Sequence, residues 1–348
     1  MPINSKSLTG SRVQAPQKPD EDILDLTLRP RTWNDYIGQN KVKQNVRIII
    51  QAAKQRNEAP EHLLFHGNPG LGKTTIAHLI AQDIDADFRV TSGPAIAHAG
   101  DLAAILTNLR EGAVLFIDEI HRLPRIVEEF LYPALEDFKL NLIVGKGPMA
   151  QTMELKVPRF TLIGATTRLA AMSGPLRSRF SAIFGLNFYE LPDIEQIIKR
   201  SANLLNITFD DAAIKHLAEI SRYTPRTANH LLKRIRDFAQ VENQSVVSDT
   251  FLTQTLENLE IDCLGLTIND RRLLSALIDK FNGGPIGIQA LAASTAEEEE
   301  TILEIYEPYL MRLGFITRTP RGRVATKLAF DHLKSPKCHP EGALSLSS

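Results

Sequence analysis

The chain has 348 residues, more than one ordinary hydrophobic core accommodates, so two or three domains are expected. Its 40 Lys and Arg against 41 Asp and Glu leave a formal net charge of −1, which excludes a bulk basic nucleic-acid binder and leaves any DNA contact to local patches. Two cysteines, Cys263 and Cys338, without metal-ligand spacing exclude a disulfide framework, and no apolar run reaches the roughly 20 residues that span a bilayer, so a cytoplasmic protein is expected.

Residues 1–22 are polar, carry no apolar signal segment and read as a disordered arm. After an irregular stretch with the only tryptophan, Gln39–Arg56 places Val42, Val46, Ile49, Ile50 and Ala53 at helical spacing. His62–His66 then reads as a short buried strand. It runs into Gly67-Asn68-Pro69-Gly70-Leu71-Gly72-Lys73-Thr74-Thr75, which fits G-x-x-x-x-G-K-[ST], and Thr74–Asp83 follows as a helix. Glycines let this backbone curl so that several N–H groups face a phosphate, and the helix N-terminus adds partial positive charge. Gly70, Gly72, Lys73, Thr74 and Thr75 are the expected phosphate contacts, with Lys73 bridging the β- and γ-phosphates of ATP and the Thr74 hydroxyl holding Mg²⁺. A mere Gly-Pro turn ending in Lys-Thr would need neither the strand before it nor the helix after it.

A second strand fits Phe88–Thr91, and Leu102–Leu109 is a helix. Ala113–Ile117 (AVLFI) is continuously apolar, as a strand buried on both faces of a parallel sheet must be, and it ends in Asp118-Glu119. A helix over Ile126–Phe138 follows, then a strand over Thr161–Ala165 that ends in Thr166-Thr167-Arg168. Strands alternating with helices, with polar groups at the strands' C-terminal ends, describe a doubly wound α/β sheet. Leu140–Val157 reads as a hairpin about Gly145–Pro148, whose Pro148, Met149, Met153 and Leu155 expose apolar surface suited to a partner.

Pro192–Leu259 is helical throughout (Asp193–Leu205, Asp210–Ile220, Arg226–Gln240 and Ser248–Leu256) and makes a small all-α domain. Beyond it, Asp270–Phe281, Ile288–Ala293 and Glu297–Leu313 read as three helices, and Gly314–Thr319 with Arg323–Thr326 as a hairpin. That pattern spells a winged helix. Glu297–Glu300 reads as a solvated helix start, and the segment from Ser335 as a disordered tail.

Following both a phosphate loop and an apolar strand, Asp118 is placed to hold the Mg²⁺ shell and Glu119 to polarise the attacking water. Thr166 and Thr167 end the neighbouring strand, where one hydroxyl can sense the γ-phosphate; the residues alone do not choose between them. Arg177 and Arg179 are candidates for the arginine that stabilises charge on the transferring phosphoryl group, and Arg226 for one reaching back across the domain cleft. Arg318, Arg321 and Arg323 on the hairpin suit phosphate-backbone contact.

The strings GNPGLGKTT, LFIDEIHRL, IGATTR, PLRSRF, YTPRTANHLLKRIRDFA and RTPRGR, in this order, closely resemble the RuvB family of bacterial AAA+ ATPases, from about Asp25 to Lys334. The resemblance implies a P-loop AAA+ sheet domain over 23–189, a helical lid over 190–260 and a winged-helix head over 261–334, before the tail at 335–348. It implies an ATP- and Mg²⁺-dependent motor for Holliday-junction branch migration in DNA recombination, repair and the SOS response. The partners it implies are duplex and four-way junction DNA, RuvA, RuvC and five further copies in a homo-hexameric ring. It also implies that Arg179 is a finger reaching a neighbour's ATP, Arg226 the lid sensor and Thr167 the strand-end sensor. By the same resemblance Leu28, Arg29 and Tyr189 belong to the adenine pocket, and Glu136, Asp137 and Phe138 lie near the nucleotide. Met153 and Leu155 contact RuvA, and Arg318 and Arg323 contact DNA. Two departures stand out: Asn68 replaces a common proline, and Ser181 follows Phe180 where the family commonly has glycine, which alters a turn leading to Tyr189. A clamp-loader ATPase and a nucleotide-switched DNA-binding regulator are the rival readings, the first opposed by the arginine-bearing winged domain.

Overall fold

A computed structural model describes residues 27–144 and 151–334. The expected arm at 1–22, the tail at 335–348 and the hairpin tip with Pro148 and Met149 lie outside them. The Asn40–Arg56 helix buries Val46, Ile50 and Ala53 on one face. It leads to a five-stranded sheet of β1 (Leu63–His66), β2 (Phe88–Ser92), β3 (Ala113–Asp118), β6 (Phe160–Thr166) and β7 (Ala182–Gly185), ordered β2-β3-β6-β1-β7 and parallel throughout. Between β3 and β6, β4 (Lys139–Val144) and β5 (Gln151–Lys156) pair as the expected antiparallel hairpin. Strand β7 is absent from the sequence reading. It has only four residues, none of them fully buried, and a run that short carries no readable period.

The sheet separates two apolar layers. One gathers Leu64, Leu115, Ile117, Leu131 and Phe160 beneath the helices Ala99–Thr107 and Arg125–Glu136. The other runs from Phe65, Ile76 and Phe116 without a break into Ile198, Leu217 and Leu232 of the small helical unit, so sheet and lid share one core. Lid helices start where a side chain can satisfy an orphan N–H: Asp210 accepts from Ala213 N at 2.7 Å, Thr224 from Thr227 N at 3.3 Å and Ser248 from Phe251 N at 3.3 Å. Two short parallel strands, β8 (Thr208–Phe209) and β9 (Val246–Val247), pin the ends of this unit and escaped the sequence reading.

A separate core of Leu273, Leu277, Leu291, Ile302, Leu310, Phe315 and Ile316 holds the winged helix. Its helices cover Ile268–Ser275 and Ile288–Thr295, and a third begins at Glu299 and ends at Arg312 after a π-helical turn over Ile302–Tyr306. The hairpin β10 (Ile316–Thr319) and β11 (Gly322–Ala325) is the wing. A fourth helix, Lys327–Lys334, closes the unit and was not expected.

Lid and winged helix are clamped by charge. Arg222 of the lid donates to Asp270, which is fully buried, and stacks 5.1 Å over the Tyr309 ring. Thr267 N and Oγ1 donate to the same carboxylate. Removing the guanidinium leaves a buried charge without its counter-ion, a change that costs about 3 kcal/mol or more. Arg222→Ala should therefore lower stability by about that amount in denaturant unfolding; a variant as stable as the parent would show that the clamp contributes nothing.

Candidate functional site

In a parallel sheet all C-terminal strand ends share one edge. Here β1 lies beside β6, and β6 beside β3, so the phosphate loop, Thr166-Thr167 and Asp118-Glu119 stand in one row, with strands about 5 Å apart. The loop after β1 is open enough for a phosphate only because its glycines carry no side chain. Gly70 has φ +79° and Gly72 φ +97°. A Cβ on Gly72 would lie 2.9 Å from the Tyr36 hydroxyl, and one on Gly70 2.9 Å from Arg226 Cβ.

Lys73 is buried and its Nζ donates to the carbonyls of Gly67 at 2.8 Å and Asn68 at 3.0 Å. Burial lowers its pKa to about 8, partly opposed by the nearby Asp118 carboxylate and reinforced by Arg226. Burial likewise raises the Asp118 carboxyl above the ordinary aspartate range, against the pull of the Glu119 N–H, which donates to Asp118 Oδ1 at 3.0 Å, and of Lys73. Glu119 turns away in the left-handed region, φ +47°, so the two carboxylates diverge, as adjacent residues leaving a strand must. Arg122 Nη1 donates to Glu119 Oε2 at 3.1 Å.

Among the described residues no three His, Cys, Asp or Glu side chains gather as a cation cage. Asp118 with the Thr74 hydroxyl still fits a hard cation that takes the rest of its shell from phosphate oxygens and water. The half-desolvated Asp118 carboxyl and its Lys73 neighbour are the observations that favour such a charge there.

Thr166 is buried, and its hydroxyl bonds His121 Nδ1 at 2.9 Å and accepts from Arg168 N at 3.0 Å. Thr167, by contrast, points outward and donates to Glu304 of the winged helix at 3.2 Å. Arg226 opens a lid helix directly over Gly70, which brings it to the phosphate loop of its own chain. Tyr189 is buried, and its hydroxyl donates to the Leu71 carbonyl at 3.3 Å with Tyr36 Oη 3.2 Å away; burial pushes it up to about 12. Leu28 is buried and its carbonyl accepts from Arg200 Nη1 at 2.9 Å, while Arg29 is half-buried beside it. Ser181, at the expected departure, donates both N–H (3.0 Å) and Oγ (2.9 Å) to the His62 carbonyl and so holds the turn into β7.

Arg179 stands elsewhere. It precedes β7, at the edge where the strands begin, one strand length of about 10 Å or more from the phosphate loop. Its Nη2 pairs with Glu136 at 3.0 Å, its Nη1 donates to the Pro175 carbonyl at 2.7 Å, and its guanidinium stacks 4.1 Å over Tyr132, with Nε unpartnered. Exposed Asp137 and half-buried Phe138 follow Glu136, and the Phe138 ring packs against His62 and Phe160 at this same edge. Glu136, Asp137 and Phe138 thus accompany Arg179 and do not line their own chain's loop.

On the wing, exposed Arg318 and mostly buried Arg323 both donate to Glu307, at 2.6 and 3.2 Å. Burial alone would raise the Glu307 carboxyl, but the two arginines outweigh it and hold it below the usual range. On the β4–β5 hairpin Met153 is exposed, whereas Leu155 packs half-buried on the sheet core. Arg122, Arg168, Tyr36 and Glu304 escaped the sequence reading. Arg168 adjoins the strand-end threonines and was findable; Glu304 carries no local signal. Glu300 is not merely solvated, because it pairs with Arg168 at 3.3 Å.

Comparison with known proteins covers nearly all of this. Residues 28–186 match the family model described as the Holliday junction DNA helicase RuvB P-loop domain, 189–262 the RuvB AAA lid domain and 263–334 the RuvB C-terminal winged helix domain. The Holliday junction branch migration complex subunit RuvB of Dehalococcoides mccartyi is 53% identical over 91% of this chain and 91% of its own length. That of Chloroflexus aggregans is 52% identical over 94% and 93%. The solved Thermotoga maritima RuvB Holliday junction branch migration motor superposes with a TM-score of 0.82, at 46% identity, over 88% of this chain and 98% of its own. No helix among the described residues is long and apolar enough to cross a membrane.

The buried Lys73 generates a pH prediction. A triphosphate needs the ammonium, so binding above about pH 8 must first restore its proton. Nucleotide affinity should fall as pH rises through 8, with proton uptake visible as a buffer-dependent calorimetric enthalpy. A flat affinity between pH 7 and 9.5 would place the lysine's pKa elsewhere.

Proposed function

The chain belongs to the RuvB family, and from that premise we propose that it is the ATP-hydrolysing motor that drives branch migration of Holliday junctions in recombination and repair. It works in the cytoplasm as a homo-hexameric ring on duplex DNA, beside a RuvA-type junction-binding protein and a RuvC-type resolvase. The sheet unit ends near Tyr189 and the lid near Glu260, with the head beyond. The observation that carries the ring reading is the place of Arg179: its own phosphate loop is at the opposite sheet edge, so only a neighbour's nucleotide is within its reach.

The roles follow. The Gly70–Thr75 backbone and the Lys73 ammonium bind the phosphates; Leu28, Arg29 and Tyr189 border the adenine, and Arg226 closes from the lid. Thr74 and Asp118 hold Mg²⁺, which when bound neutralises phosphate charge. Glu119 takes the proton of the attacking water, and Thr167 orients that water or the γ-phosphate. Arg179 enters with Glu136, Asp137 and Phe138 from the next subunit and stabilises the transferring phosphoryl group, an effect that reaches about 10³-fold or more where such arginines operate. Met153, exposed on its hairpin, and Leu155 beside it serve the RuvA contact. Arg318 contacts the DNA backbone with Arg323 behind it, both anchored by Glu307.

Glu119→Gln and Arg179→Ala should each keep nucleotide binding and lose about 10²-fold or more of turnover and of junction conversion with a RuvA-type partner. Mixed together they should regain activity, because one supplies Glu119 and the other Arg179 to a shared site. Full activity of Arg179→Ala alone would sink the ring reading. DNA affinity should weaken as salt rises, with a shallow log–log slope per subunit, since few arginines meet phosphate. An affinity indifferent to salt would remove the wing from the contact.

A further inference from the structure

Glu304 belongs to the winged helix, on the π-helical turn Ile302–Tyr306, yet its carboxylate lies among groups of the ATPase unit. Its Oε1 accepts from Thr167 Oγ1 at 3.2 Å and from Arg168 Nε at 2.8 Å, with the side chain only 17% exposed. One turn earlier, Glu300 pairs with Arg168 Nη1 at 3.3 Å and Arg122 Nη2 at 3.9 Å, and Arg122 in turn holds Glu119. A cavity of about 520 Å³ lies beside this junction, lined by Asn68 and Pro69 of the phosphate loop, Thr167, Arg168, Glu304 and Met311. The negative charge of Glu304 also reaches Lys73, where it favours the ammonium.

A threonine hydroxyl has one proton to donate. While it points at Glu304 it cannot point at a phosphate, and a γ-phosphate arriving beside Thr167 would meet a carboxylate of like charge and compete with it for Thr167 and Arg168. We propose that Glu304 latches the winged helix to Thr167 and Arg168, and that an arriving γ-phosphate displaces it and frees the winged helix from the sheet edge. This rests on the reading that Thr167 faces the γ-phosphate. ADP lacks that phosphate and leaves the latch closed. Because such coupling is reciprocal, DNA that draws the winged helix away tightens ATP.

The test is Glu304→Gln in the full chain, with calorimetric affinities for a non-hydrolysable ATP analogue and for ADP. If the latched form outweighs the open one about ten to one, the variant binds the analogue about tenfold more tightly and ADP within about twofold of the parent. Unchanged analogue binding, or equal shifts for both nucleotides, overturns the latch. Thr167→Val separates the latch from its premise. If that variant turns over normally, the premise fails and the latch with it; if it is slowed while Glu304→Gln binds the analogue like the parent, the latch alone fails. A spin-label pair spanning the ATPase and winged-helix units of the otherwise unaltered chain gives a check free of any folding defect. The distance should lengthen with the analogue and stay put with ADP; one distance in both states overturns the proposal.

Discussion

A parallel sheet has two chemically different edges, and this molecule depends on that inequality. Every strand leaves at the same side, so loops that follow strands collect there, and the groups able to meet a triphosphate arrive without any one segment having to supply them all. The entering edge receives Arg179 and Glu136 by the same rule. One chain therefore carries its phosphate loop on one edge and Arg179 on the other, and the proposed ring would bring two such edges together.

The row of groups at the strand ends is held under electrostatic tension. Lys73 is buried deeply enough to lose much of its hold on a proton, and Asp118 is buried enough to resist losing one; each is partly rescued by the other. In the proposed site a triphosphate would supply negative charge to the lysine and a cation positive charge to the aspartate, which favours the charged form of each.

The winged helix is no distant appendage. Arg222 and Asp270 fix it to the lid, and Glu300 and Glu304 touch the strand-end residues of the sheet unit. The lid itself shares a continuous apolar core with one face of the sheet. Sheet unit and winged helix are thus joined both by packing through the lid and by charge, and the proposed latch uses the charged route, because an ion pair yields to a competing charge whereas a packed core does not.

Local pattern carried most of the fold. Continuous apolar runs such as Ala113–Ile117, the glycine-rich loop with its flanks, and capped helices such as those starting at Asp210 and Thr224 declare themselves within about ten residues, because hydrogen bonding and side-chain periodicity are local. The resemblance added roles to individual residues that pattern alone left open. What chain order did not contain is the meeting of segments far apart in sequence. Strand β7 has four residues and exists only because β1 offers it an edge. Thr166 and Thr167 are chemically alike in sequence; tertiary packing buries the first against His121 and turns the second to Glu304, 137 residues away. Arg179 reads as one arginine among several until the sheet places it opposite its own phosphate loop. The sequence by itself determined which elements form and which chemistry they carry, since those are set by neighbours along the chain. Only the tertiary structure decided which carboxylate faces which arginine, since that depends on distance in space, and electrostatic energy is blind to sequence separation.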